Sequence, residues 1–374
     1  MIAIALRTMA TPSAGLALGA LLLVACRENR PALAPHMVSR THLAMGSEVR
    51  VSVWTPDEGA AEKAMVAAFA EFDRLDGLFS VWKPASDVLR LNAAAGRAPV
   101  RVSPATRDVL RQAHELSVRT AGKFDVTFGA LSDVWKFDHD QDNRIPTAEE
   151  IAARVPLVDY RAVVVDESAG TAFVSRPGMR IHLGGIGKGY AVDRAVDILR
   201  RAHLRDFMVH AGGDLFVSGQ PGDAPWRLGI NDPRGGPDES FATVELYDRT
   251  FSTSGDYERF FVRDGTRYHH LLDPDTGQPA RGCVSVTIVA RTATVAEGYS
   301  KGVFILGPEA GLALVERVPD LDAVIVTAAN EVLSRPQSTV DTSVKPANRY
   351  HARLCLTTGR LQSRTLKTLV MEMR

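Results

Sequence analysis

The hydrophobic period of this chain switches repeatedly between the two-residue repeat of a strand and the three-to-four-residue repeat of a helix, without a fixed rhythm. Glu48-Val49-Arg50-Val51-Ser52-Val53 alternates like a half-buried strand; after it, Ala61, Met65, Phe69, Phe72 and Leu75 recur at helical spacing within residues 57–78. Ser103-Pro104 predicts the start of a second helix, the serine as N-cap and the proline in the first turn, and Gly122 is placed to end it. A third helix is expected over residues 189–201. Strand patterns at 207–209 and 215–218 flank Gly212-Gly213, further strands are expected at 241–246 and 284–289, and residues 294–306 and 308–318 read as helices. A doubly wound sheet would alternate strand and helix regularly. The mixed order instead predicts an α+β fold, a single catalytic body of mixed sheets and helices.

With 374 residues the chain has ample material for one large core. Lys plus Arg equal Asp plus Glu at 44 each, which removes the basic excess that phosphate-backbone binding needs, so no nucleic-acid partner is expected. Arg7 precedes an apolar run at 14–25 that is too short to span a bilayer and has the proportions of a signal-peptide core. The run ends in Leu23-Val24-Ala25-Cys26, the pattern a lipoprotein signal peptidase reads, with Cys26 as the acylated first residue; a plain secretory signal beside a chance cysteine is the other reading. The expected division is a signal peptide at 1–25, a tether at 26–40 (polar and proline-containing over 27–35), a catalytic domain at 41–335 and a basic tail at 336–374. The expected address is a lipid anchor on the cell envelope facing the periplasm, on either membrane. Cys283 and Cys355 are left to pair or simply to be buried, and no Cys/His metal site is present. The tail carries Lys345, Arg349, Arg353, Arg360, Arg364 and Lys367 with few acids; it reads as a solvated segment or one that touches anionic lipid.

The chemistry is concentrated in Leu183-Gly184-Gly185-Ile186-Gly187-Lys188-Gly189-Tyr190-Ala191-Val192-Asp193. Glycines ahead of a helix let backbone approach an anion closely, the helix N-terminus supplies free N–H groups, and Lys188 adds a full charge. The generic motifs do not fit: a Walker A loop needs glycine where His182 stands and Ser or Thr where Gly189 stands, and a Rossmann fingerprint needs glycine at Tyr190. Three further stretches cluster polar residues and glycines. They are His210-Ala211-Gly212-Gly213-Asp214, Ser252-Thr253-Ser254-Gly255-Asp256-Tyr257-Glu258-Arg259, and the run from Tyr268-His269-His270-Leu271-Leu272 through Asp273-Pro274 and Thr276-Gly277 to Pro279. Together they describe a site assembled from loops. A serine hydrolase built on Ser254, Asp256 and His270 lacks the glycine pattern of a nucleophile elbow.

In this order, with Phe79-Ser80-Val81-Trp82, the stretch from Ser86 to Asn92, Phe124-Asp125-Val126-Thr127, Ala296-Glu297-Gly298-Tyr299-Ser300-Lys301 and Phe304-Ile305-Leu306-Gly307, the motifs resemble the FAD:protein FMN transferase (ApbE-like) lipoproteins. The resemblance runs from about Met45-Gly46 to about Val332. It implies an ApbE-like, T-fold-like architecture that binds FAD as substrate. With a magnesium ion assisting, such an enzyme transfers FMN to a Thr or Ser of a target flavoprotein and releases AMP. The implied acceptor is a membrane electron-transfer protein. Carried over residue by residue, Met45 and Trp82 border the flavin or adenine, the latter where a ring can stack, and Lys188 with the backbone around Gly184 holds the phosphates. Phe124, Asp125, His182, Gly212, Gly213, Asp214 and Leu271 surround the cofactor. His270 is the general base for the acceptor hydroxyl, with His269 as its close alternative.

The sequence departs from the family pattern at two places. His182 stands where Asp is common. The metal site usually joins a backbone carbonyl, here that of Gly185, to an Asp and a Thr one helical turn later; those two positions hold Glu297 and Lys301. Residues four apart share a helix face, but an ammonium only donates and cannot ligate a hard cation. Two readings remain. Either Glu297 and Gly185 still hold magnesium with Lys301 swung aside, or Lys301 pairs with Glu297 and supplies the charge itself. A lysine about 4 Å from a phosphate gains about 4 kcal/mol at an effective dielectric near 20, before desolvation. Beside transfer stand two other functions: an FAD pyrophosphatase, with water as the nucleophile, and a flavin-binding lipoprotein without turnover.

Overall fold

The structure, a computed structural model, describes residues 34–236 and 239–335, with the backbone of 343–344 and 351–354. Its frame is a nine-stranded sheet whose spatial order is also its chain order: His36–Ala44, Ser47–Thr55, Asp206–Ala211, Asp214–Ser218, Arg249–Gly255, Cys283–Ala290, Asp322–Thr327, Glu331–Arg335 and His351–Leu354. Every neighbouring pair is antiparallel except the last, which is parallel. The sheet is therefore a meander, and everything that makes the site is inserted between consecutive strands.

Seven helices lie among the described residues: α1 (Glu58–Phe79), α2 (Asp87–Ala94), α3 (Pro104–Arg119), α4 (Ala148–Arg154), α5 (Gly187–Arg201), α6 (Ala293–Leu306) and α7 (Pro308–Arg317). Local chemistry sets their starts. Asp57 accepts the Ala60 N–H at 2.9 Å to begin α1, and Ser103 accepts the Thr106 N–H at 3.1 Å with Pro104 in the first turn of α3. The expected glycine stop of α3 falls two residues beyond its C-cap at Thr120, because Ala121 (φ 53°) and Gly122 (φ 82°) both turn left-handed before the chain leaves. The Gly122 N–H then donates to the Ser117 carbonyl at 2.7 Å.

Alternation along the strands separates two cores. Val49, Val51, Val53, Phe207, Val209, Val286, Ile288 and Ile325 face α1, α5 and α6. On the opposite face Leu215, Val217, Phe251, Val324 and Val326 pack under the hairpin Trp226–Asn231 and Ser240–Leu246. There the Trp226 indole N–H donates to the Ser218 carbonyl at 3.0 Å. A third, aromatic cluster stacks Trp135, Phe137, Phe261 and Tyr268 beside the hairpin Phe260–Arg263 and Thr266–His269.

The expected α+β body is thus present, with two boundaries corrected. The first strand starts at His36 and pairs His36 with Thr55 and Arg40 with Val51, so residues 36–40 belong to the sheet and not to a tether. Within the expected tail, Ser343–Val344 pairs with the strand Ser240–Leu246, and His351–Leu354 with Glu331–Arg335. Cys26, Cys355 and the rest of the signal and tail segments lie outside the described residues. Cys283 is buried, which pushes its thiol up to about 12. No described helix is long and apolar enough to cross a membrane.

Candidate active site

The N-terminus of α5 is where the site begins. Gly189 sits against the first turn of α6, and a Cβ there would lie 2.5 Å from the Ala293 carbonyl oxygen, so only glycine lets the two helix starts meet. Two carboxylates tie the junction. Asp193 on α5 accepts the Ala293 and Thr294 N–H groups at 2.7 and 2.9 Å and the Thr294 hydroxyl at 2.6 Å, capping α6 from outside. In return Glu297 on α6, fully buried, accepts the Gly189 N–H at 2.7 Å and caps α5.

Two ammoniums stand over the same Glu297 oxygen: Lys188 Nζ at 3.7 Å and Lys301 Nζ at 3.4 Å. Lys301 also reaches the Glu297 carbonyl at 3.3 Å, and its stem crosses Gly185, where a Cβ would sit 3.2 Å from Lys301 Cδ. Lys188 lies 4.0 Å from Asp214, whose other oxygen accepts the Ser252 hydroxyl at 2.6 Å. Burial and the neighbouring Glu297 charge raise the Asp214 carboxyl above its ordinary range. Gly212 (φ 61°) and Gly213 form the two-residue turn that delivers Asp214 to this floor.

Above the floor opens a cavity of about 520 Å³. Of the residues expected from sequence, Trp82, Phe124, Asp125, His182, Gly184, Gly185, Lys188, Gly212, Gly213, Asp214, His270, Leu271 and Lys301 line it. Trp82 is half exposed at the mouth, its ring 5.4 Å from that of His139. Several expected roles change. Met45 does not line the cavity: it holds a left-handed turn (φ 52°) and packs into the core near Gly187, while Gly46 and Ser47 face the opening. Asp125 forms wall, but its carboxylate is turned to its own loop, accepting from the Thr127 N–H and hydroxyl and from the Tyr160 N–H at 2.7, 2.6 and 2.8 Å. Glu297 lies beneath the floor and not on it.

The two histidines differ in what their ring nitrogens do. His269 is buried, accepts the Leu271 N–H on Nδ1 at 3.3 Å and therefore donates from Nε2 to the Ala280 carbonyl at 2.9 Å. Both nitrogens are spent and the ring is a strut. His270 lines the cavity and donates Nδ1–H to the Arg259 carbonyl at 3.3 Å, which leaves Nε2 as the lone-pair nitrogen. Burial and the Arg259 cation push it down to about 3, so it is neutral at pH 7. His182 accepts the Gly184 N–H at 3.0 Å and so caps the glycine turn; burial drives its pKa to about 4. The Ser254-Asp256-His270 hydrolase is excluded by geometry. The Ser254 hydroxyl pairs with that of Ser300 at 2.7 Å, and Asp256 holds Arg234 in a two-pronged ion pair at 2.6 and 2.7 Å.

Arg180, Arg259 and Asn92 join the site without an expected role. Arg180 and Arg259 line the cavity and pair with Asp133 and Asp138. The Asn92 amide brackets Ile181, donating to its carbonyl at 3.0 Å and accepting its N–H at 2.8 Å, which fixes the segment leading to His182.

A glycine turn, a helix N-terminus and two lysines facing a cavity with aromatic walls define a protein built around a phosphorylated aromatic cofactor. The chain belongs to the ApbE family, whose model matches residues 45–325. A relative from Klebsiella pneumoniae (strain 342), named FAD:protein FMN transferase, is 31% identical over 295 residues, covering 78% of this chain and 90% of the relative. The crystal structure of the ApbE protein of Thermotoga maritima is 35% identical with a TM-score of 0.72, covering 78% of this chain and 94% of that one. The apo flavinyl transferase ApbE of Pseudomonas stutzeri is 32% identical with a TM-score of 0.70, over 78% and 92%. The α+β fold expected from sequence is the fold of these structures.

Proposed function

We propose that the protein transfers FMN from FAD to a Thr or Ser hydroxyl of a target flavoprotein, forming a phosphoester and releasing AMP. The observation that carries this reading is that Lys188 and the unspent Nε2 of His270 open onto one cavity, with the amino end of α5 at its floor. A phosphoanhydride demands positioning and charge stabilisation more than covalent help from the protein. Lys188 and the Gly184–Gly185 turn supply the electrostatics at the pyrophosphate. His270, neutral at pH 7, is ready to take the acceptor hydroxyl proton, and bound pyrophosphate would offset the Arg259 cation and raise its basicity. The acceptor oxygen bonds to the flavin-side phosphorus, the bridging P–O bond breaks, and its electron pair leaves with AMP.

The family resemblance implies magnesium at Gly185 and Glu297. The residues here do not fit it: the Glu297 carboxylate caps α5 with one oxygen and faces two ammoniums with the other. We also propose, from the Leu23–Cys26 pattern alone, a lipid anchor at Cys26 facing the periplasm, and, from the family resemblance alone, acceptors among membrane electron-transfer proteins. Loss of membrane association in Cys26→Ala tests the anchor; retention on the membrane would refute it.

The test of the main reading is mass spectrometry of an acceptor flavoprotein incubated with FAD and this protein. A gain of one FMN on Thr or Ser is expected, with AMP in equal amount. Free FMN and AMP without adduct would make it a pyrophosphatase, and bound FAD without AMP a flavin binder.

A further inference from the structure

We propose that Lys301 takes the place of the divalent cation, so that this protein binds FAD and transfers FMN without a metal. The inference rests on the FMN-transfer reading and concerns how the same site handles charge. Three observations carry it. First, the Lys301 ammonium lies 3.4 Å from Glu297 Oε1 and 3.3 Å from its carbonyl oxygen, on the cavity side of the carboxylate. Second, its stem crosses Gly185, the other residue a metal would need, with Cδ 3.2 Å from the glycine's missing Cβ. Third, Glu297 is one methylene longer than an aspartate, and that reach lets it cap α5 through the Gly189 N–H at 2.7 Å. The carboxylate thus serves as a helix cap and a counter-charge, and both ammoniums, Lys188 and Lys301, face the space a pyrophosphate would enter.

A hard cation at this point would need oxygen donors at about 2.1 Å and would meet an ammonium in their place. A lysine fixed by a buried carboxylate meets the same electrostatic demand differently. With two N–H bonds directed at Glu297, it keeps one to offer a phosphate oxygen, and its charge persists through the transition state. The bond changes stay those of the transfer already described, since Lys301 exchanges no proton or electron pair.

The experiment compares the full-length protein with Lys301→Thr and Lys301→Met, each in EDTA and in millimolar magnesium. Two readouts are used: FAD affinity by flavin fluorescence, which needs no acceptor, and adduct formation by mass spectrometry. For the wild type, FAD affinity and transfer rate are expected to agree within about twofold between the two conditions. Lys301→Thr should weaken FAD binding at least tenfold in EDTA and recover with magnesium, and it should bind Mn2+ by electron paramagnetic resonance where the wild type does not. Lys301→Met keeps the packing stem without charge or ligand, and it should be weakened in both conditions. Wild-type FAD binding or transfer that collapses in EDTA and returns with magnesium would overturn the proposal, as would stoichiometric Mn2+ binding by the wild type. Metal-indifferent FAD binding with no adduct under any condition would uphold the lysine's role and refute the transfer reading instead.

Discussion

The two faces of the central sheet are covered by different means. On one, the strands Asp214–Ser218 and Arg249–Gly255 turn Asp214, Ser252 and Ser254 toward α5 and α6; on the other, the same strands turn Leu215, Val217 and Phe251 under the hairpin of Trp226. The helix-covered face therefore buries, beside its apolar core, carboxylates, hydroxyls and two helix N-termini, with Asp193, Asp214, Ser252, Ser254 and Glu297 each holding a partner, whereas the hairpin-covered face is an apolar cluster. Burying a charge is costly unless hydrogen bonds and counter-charges answer it, so the polar face is the one shaped by something other than packing. The chemistry is confined to one layer of the molecule, and mutations on the two faces should fail in different ways.

The largest contrast is expected at His270. His270→Ala should lower the transfer rate by about 10²- to 10⁴-fold, the usual worth of a positioned general base, with FAD affinity changed less than threefold. A full-rate His270→Ala would move the proton's destination elsewhere. Next in size, Trp226→Ala on the hairpin face should cost about 3–5 kcal/mol in chemical denaturation, while the folded fraction keeps its FAD affinity and turnover. Weakened FAD binding in that variant would break the separation of the faces. Gly189→Ala joins both effects. Its Cβ meets the Ala293 carbonyl at 2.5 Å, so the helix starts must part at a cost of about 1–3 kcal/mol, and Glu297 is drawn from the Gly189 N–H. Stability and FAD affinity should fall together; loss of one alone would show that the junction does not position the lysines.

The helix-covered face was also the more legible in sequence, and for a physical reason. Glycines before a helix, with a lysine among them, leave a local signature, so Gly184–Lys188 was readable as a phosphate loop; the Glu297–Lys301 pair was tied to the same site by the family resemblance, its spacing showing only that the two share a helix face. The function of Glu297 was not, because its partner is a backbone N–H 108 positions away. His269 and His270 could not be separated by residue type, since adjacent positions at a strand end point to opposite sides. Arg180 lies outside any helix or named strand, with no period to reveal its direction; Asn92 lies on α2, but its bridge to Ile181 spans 89 positions. On the other face, the strand Ser240–Leu246 was expected and its partner Trp226–Asn231 was not, although Trp226, Leu228 and Ile230 alternate with Arg227, Gly229 and Asn231 as a half-buried strand does.

The smallest expected difference is one of pH. Burial lowers His269 to about 4, against about 6.5 in an unfolded chain. A folded-state pKa below the unfolded value means that the unfolded chain takes up the proton first. The stability tied to the neutral ring is thus complete above pH 6.5 and is lost as pH falls from there toward 4. Asp193, raised by burial to about 6, works in the opposite sense: its penalty is present above pH 6 and is relieved as pH falls; His182 and His270 shift as His269 does and Asp214 as Asp193 does, so the wild-type profile alone is a sum over all of them. A variant isolates the histidine. His269→Gln does not titrate, so its deficit relative to wild type in denaturant titrations should shrink by about 1–2 kcal/mol between pH 7 and pH 5. The deficit of Trp226→Ala, set among apolar neighbours, should stay constant over the same interval. If both deficits shrink equally, the buried ring does not hold the neutral form that its bonds to Leu271 and Ala280 require, and the polar face is less tightly satisfied than its geometry states.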